Sequence, residues 1–146
     1  MWIFYALGAA ILWGLSYTAM GRLLSRGMDQ AALYFLHLVL ALIPVCVLMV
    51  ASGRFSRLGA EIRSMGMDAA WIPVASLSAA SAWGLIMVAI GQKNSPVATL
   101  VEISYPLATA FFCWLFFRDS HMNSQTFVGA ALIFAGIVVI AIANKS

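Results

Sequence analysis

Charge is what this sequence has least of. Only 9% of its 146 residues are Asp, Glu, Lys or Arg, against roughly 25% in a soluble domain, and the mean hydropathy is +0.98. That excludes a soluble globular fold. Cysteine is scarce too: Cys46 and Cys113 both fall in apolar runs, where they pack as small apolar side chains and say nothing of redox compartment. The net charge of +3 comes from basic residues scattered singly over the connectors, so no patch for nucleic acid forms. Two ligand types without further His, Cys or carboxylate nearby fall short of a metal site, and no cofactor is expected. A nucleophile with its base and a phosphate-cradling loop are also missing, so an enzyme is the class least supported.

What the chain has in abundance is apolar sequence, 64% of all residues. A transmembrane helix needs about 20 predominantly apolar residues, and five stretches provide them: 2–20, 31–50, 70–90, 97–117 and 126–143. The expected fold is all-α, a single transmembrane domain over 1–146 with the lipid bilayer as its first partner. Connectors 21–30, 51–69, 91–96 and 118–125 are too short for a soluble domain, which confines function to the helices and the spaces between them. The first run lacks a basic n-region and exceeds the usual h-region, so it reads as a retained helix rather than a signal peptide.

Short loops normally carry more Lys and Arg on the cytoplasmic side. Here Arg54, Arg57, Arg63 and Arg118 stand on one side, and Arg22, Arg26, Lys93 and Lys145 on the other, four against four. With no bias to orient it, the chain is expected to insert both ways and pair as an antiparallel homodimer. The alternative is that a partner, or early insertion of the first helix, settles orientation.

Local signals refine the spans. Phe55, Leu58, Ile62 and Met65 recur every three or four residues, with Arg57 and Glu61 at i,i+4 on another face, the pattern of a short interfacial helix. Asp29 and Asp68 precede apolar runs, and Asn94 or Ser95 precedes Pro96; all are helix-start signals. Pro44 and Pro106 fall inside spans two and four, where each removes a backbone bond and predicts a kink able to serve as a hinge. The carbonyl freed by Pro106 belongs to Glu102.

Glu102 is the only charge in its span. About six residues into the helix, it lies roughly 9 Å below the surface, where a carboxylate is costly and usually marks a pathway. The competing reading is a protonated acid bonded to a neighbouring helix. His37 sits at a similar depth in span two, close enough to share a proton with Glu102 if the helices are adjacent, although a lone histidine also serves as packing. Thr99, Glu102, Tyr105, Pro106 and Thr109 recur at three- and four-residue intervals and mark one polar face. Trp13, Ser16 and Tyr17, Tyr34, and Ser81 and Trp83 supply opposite walls, while Trp2 and Tyr5 suit the interfacial belt. Aromatic surfaces beside one acid suit a small amphipathic or cationic organic molecule.

The last span contains GAALIFAGIVV, in which Gly129, Ala131, Ala135 and Gly136 allow close helix approach, within one chain or between two. Together with Trp13-Gly14 in the first span, Pro106 in the fourth and Asp119 just after it, this order of features resembles one EamA-type repeat of the drug/metabolite transporter superfamily. The last helix is also similar to the dimerising helix of small multidrug resistance proteins, which work as antiparallel dimers with a proton-coupled glutamate in their first helix. The first span here holds no acid, so a role for Glu102 rests on the physics of its burial. EamA transporters usually join two inverted five-helix repeats in a ten-helix chain. The resemblance therefore implies half of that architecture, completed by a second copy or a paralogous half.

It further implies a multi-pass protein of the bacterial or archaeal cytoplasmic (inner) membrane. There it would act as a secondary transporter, an exporter of small organic metabolites or drug-like compounds; proton coupling through Glu102 is the expectation from its burial and not from the resemblance. The alternatives are a non-catalytic subunit of a hetero-oligomer and a flippase for a lipid-linked sugar.

Overall fold

The structure, a computed structural model, describes residues 1–118 and 124–144; Asp119 and Lys145 lie outside them. The described residues are helical nearly throughout: α1 (Trp2–Ser25), α2 (Gln30–Ala51), α3 (Leu58–Ser64), α4 (Trp71–Gln92), α5 (Ser95–Glu102), α6 (Tyr105–Phe117) and α7 (Ser124–Ala143). Five helical stretches are long and apolar enough to cross a bilayer: Trp2–Ser25, Gln30–Ala51, Gly66–Gln92, Ser95–Phe117 and Ser124–Ala143. Their apolar side chains point outward, with Leu132 70% and Val50 69% exposed. A helix that is apolar all round and still exposed is matched to lipid rather than to water.

The ends of these helices follow local chemistry. α1 runs past the expected 20 because Arg22 and Ser25 do not interrupt a helix, and it stops only at Gly27, whose φ of 88° only glycine adopts freely. There the Gly27 N–H donates to the Leu24 carbonyl at 2.9 Å and the Met28 N–H to that of Leu23 at 3.2 Å, the paired bonds of a Schellman stop. Two residues on, Asp29 caps α2 by accepting from the Ala32 N–H at 2.9 Å. Asn94 caps α5 in the same way, accepting from Val97 at 3.0 Å, with Pro96 in the first turn, where its missing N–H costs nothing. Asp68 does not cap α4. It lies inside a 3-10 turn, Gly66–Ala70, that leads into α4. The segment between α2 and α4 is helical as its periodicity predicts, with α3 between 3-10 turns at Arg54–Arg57 and Gly66–Ala70.

The two internal prolines behave differently. α2 passes through Pro44 without interruption. Span four does not pass through Pro106 as one helix: α5 ends at Glu102 and α6 begins at Tyr105. Pro106 has no N–H for the Glu102 carbonyl, and its ring crowds that carbonyl. The chain answers with tighter i→i+3 bonds, from the Ser104 N–H to the Val101 carbonyl at 3.2 Å and from Leu107 to Ser104 at 2.9 Å. The polar face expected along one helix is therefore split, Thr99 and Glu102 on α5, Tyr105 and Thr109 on α6.

The chain forms two compact units, residues 1–21 with 89–146, and residues 22–88. In the first, Met20, Ile90, Ser95 and Ala98 are buried and α5 packs on α7. In the second, Leu33, Ile86 and Met87 are buried.

Candidate functional site

The first unit gathers its chemistry on α1 and α5. Trp13 and Tyr17 are one turn apart on α1, with ring centroids 5.7 Å apart and planes 24° from parallel. The Tyr17 hydroxyl donates to Glu102 Oε1 at 2.9 Å. At its other end the Tyr17 carbonyl accepts from Ser95 Oγ, also at 2.9 Å. A helical side chain leans toward the N-terminus of its helix and its carbonyl points toward the C-terminus. Since Ser95 opens α5 and Glu102 closes it, α1 and α5 run antiparallel, as the first and fourth spans of a five-span chain should.

Close approach is possible because residue 21 is glycine. A Cβ there would overlap Ser95 Oγ and stand 3.2 Å from Ser95 Cβ. Glu102 itself is half-buried, seven residues from the start of α5, or about 10.5 Å along the axis. Below it, Thr99 bonds back to the Ser95 carbonyl at 2.8 Å, so its hydroxyl is taken by its own helix. Tyr105, the first residue of α6, is 65% exposed.

The second unit holds a separate polar pairing. The His37 ring lies 4.4 Å from that of Trp83, tilted by 36°. One turn earlier on both helices, the Tyr34 hydroxyl donates to the Ala80 carbonyl at 2.6 Å. Both His37 and Trp83 are half-buried. Both ionisable candidate site residues thus have an aromatic partner within their own unit, Tyr17 for Glu102 and Trp83 for His37. Among the described residues no group of three His, Cys, Asp or Glu comes together to hold a metal ion.

A family model described as the EamA-like transporter family matches residues 1–142. The chain belongs to that family. No curated protein and no solved structure matches it. As an EamA-like protein it is a multi-pass membrane transporter of the drug/metabolite transporter superfamily, and not an enzyme.

On α7 of this EamA-like chain, Ala131, Ala135 and Gly136 are exposed, and a Cβ on Gly129 or Gly136 would meet nothing within 4 Å. The residues of α7 that turn inward are Gly129, Ala130, Ile137 and Ile140, followed by Asn144 just past its end. Lys93 Nζ, just before α5, donates to the Asn144 carbonyl at 3.2 Å. Sequence reasoning missed Ser95 and Gly21 as parts of the site. The available signal was that a serine directly after an asparagine cap has no preceding turn of its own helix to bond.

Proposed function

We propose that the chain is a secondary transporter that exports small organic metabolites or drug-like compounds across the cytoplasmic membrane of a bacterium or archaeon in exchange for protons, residues 1–146 acting as one transmembrane domain. The observation that carries this reading is the interruption of span four at Glu102. The tight turn at Ile103 and Ser104 and the missing N–H of Pro106 leave the Glu102 carbonyl without its helical donor; a freed carbonyl at membrane depth persists only where protein or a water-lined cavity satisfies it, and transporters place their binding groups at such discontinuities. A carboxyl at the same point, held by the Tyr17 hydroxyl, is a group that a proton or a substrate can take in turn.

In this reading Glu102 binds proton and substrate alternately, Tyr17, Trp13 and Tyr105 form the adjoining aromatic wall, and Thr99 lines it one turn below with its methyl group. His37 and Trp83 form a second polar pair on the pathway. Pro106 is the hinge, with Pro44 as a second point of bending. Two antiparallel copies complete the inverted-repeat architecture through the α7 face of Gly129, Ala131, Ala135 and Gly136. Two features support that partner: Ala131, Ala135 and Gly136 are exposed in the single chain, and the helix is similar to the dimerising helix of small multidrug resistance proteins.

The test is proton release from purified protein in detergent on adding a panel of aromatic quaternary ammonium ions, with Glu102→Gln alongside. Release that vanishes in the variant is the expected result. No release from either protein removes the coupling role and leaves Glu102 as a packing group. Reporter fusions at the C-terminus decide the dimer, since signal on only one side of the membrane rules out antiparallel copies.

A further inference from the structure

Hydroxyls in apolar helices usually bond back to their own backbone. Thr18 does so to Gly14 at 2.8 Å, Ser76 to Ile72 at 2.9 Å, Thr99 to Ser95 at 2.8 Å and Thr109 to Tyr105 at 3.1 Å. Ser95 does not. As the first residue of α5 it has no preceding turn, and its hydroxyl reaches across to the Tyr17 carbonyl on α1. It is also the one buried polar side chain among the described residues, 9% exposed. Its site is shaped for it by Gly21, where any Cβ would push the hydroxyl off its acceptor.

The result is that α5 grips one residue of α1 at both ends. Ser95 holds the Tyr17 backbone, and Glu102, two turns further along α5, holds the Tyr17 phenol. We propose that Ser95 is a positioning residue that acts on Glu102 through Tyr17: it fixes the height of Tyr17 along α5 so that the phenol meets the carboxyl. The two ends differ in kind. The bond at Ser95 joins a hydroxyl to a backbone carbonyl and is indifferent to what binds. The bond at Glu102 draws its strength from the carboxylate charge and weakens when a proton or a cation neutralises that charge. Ligand arrival therefore loosens one end of Tyr17 only, and α1 swings about the Ser95–Gly21 contact without leaving α5. This rests on the reading of Glu102 as the binding group.

The test measures access to Glu102 without any substrate. Purified full-length protein is treated with a hydrophobic carbodiimide, which labels membrane carboxyls, and the rate at Glu102 is read by peptide mass spectrometry against exposed Glu61 as reference. Tyr17→Phe is expected to speed labelling about tenfold, the worth of one hydrogen bond to a carboxyl. Ser95→Ala speeds it severalfold, and adds nothing once Tyr17 is Phe. Gly21→Ala, which displaces the same hydroxyl, reproduces Ser95→Ala and serves if that variant does not fold. Wild-type labelling in both Ser95→Ala and Gly21→Ala overturns the proposal. So does a double variant whose effect is the product of the two single effects, because Ser95 would then act by loosening the helices and not through Tyr17. Normal proton-coupled transport by Glu102→Gln would defeat the transport role while leaving the labelling ratios to judge the grip.

Discussion

Gly21→Ala is the sharpest probe of how α1 and α5 meet. In an open helix the change stabilises by about 1 kcal/mol, because alanine loses less backbone entropy than glycine. At residue 21 that gain is opposed twice. The new Cβ overlaps Ser95 Oγ, so the hydroxyl must leave the Tyr17 carbonyl, and an interhelical hydrogen bond in a membrane contributes about 0.6 kcal/mol and at most about 1.7. The Cβ also stands 3.2 Å from Ser95 Cβ and 3.8 Å from Ile90 Cγ2. The first contact is too short for two carbons, and overpacking costs about 1–3 kcal/mol. The balance is a net loss of about 1.5 kcal/mol. Gly14 is the internal control, since it lies in the same helix with nothing within 4 Å of its Cβ, and Gly14→Ala should gain about 1 kcal/mol. Unfolding in mixed micelles of rising dodecyl sulfate fraction, followed by circular dichroism, measures both. The two variants should differ by about 2.5 kcal/mol by the same principles. Equal stabilities, within about 0.5 kcal/mol, would refute close packing at Gly21.

Three further outcomes are expected. Tyr34→Phe removes the 2.6 Å bond to the Ala80 carbonyl and should cost about 1 kcal/mol in the same unfolding assay. Asn94→Ala removes the α5 cap, at a cost of about 1 kcal/mol, visible as faster amide exchange at Val97, whose N–H the cap accepts. Pro106→Ala gives the Glu102 carbonyl its missing donor, and hydrogen exchange should find the new amide at 106 protected by about 1 kcal/mol as α5 and α6 join. An unprotected amide at 106 would mean that something other than proline breaks the span.

Where a feature depends on a few neighbouring residues, the sequence sufficed to read it. Five apolar runs became five helical stretches, and Asp29 and Asn94 are caps because a cap needs only its own side chain and the amides three residues on. Asp68 misled for the same local reason: a 3-10 turn took the place of the helix start that its position advertised. What depended on distant partners was hidden. Pro106 predicted a kink, but the split between Glu102 and Tyr105 also involves a carboxyl held from α1, 85 positions away in sequence. Thr99 was legible from spacing as part of a polar face, but the bond of its hydroxyl to its own helix was not. Ser95 looked like no more than a helix start, because the importance of its hydroxyl comes from the absence of a preceding turn and the presence of Gly21 opposite.

The base of α5 is fastened on two sides. Ser95 ties it to α1, and Lys93, just ahead of it, ties it to the carbonyl at the end of α7. Its far end carries Glu102 and then gives way to a tight turn into α6, with the Tyr17 hydroxyl restraining the carboxyl. Mechanically this is a cantilever with its carboxyl at the tip. For an arm of about 10.5 Å, a tilt of about 10° at the clamp carries Glu102 by about 2 Å, enough to make or break a hydrogen bond. Any rearrangement of α7 against the base of α5, such as a neighbour settling on its open face, would therefore be magnified where the carboxyl sits.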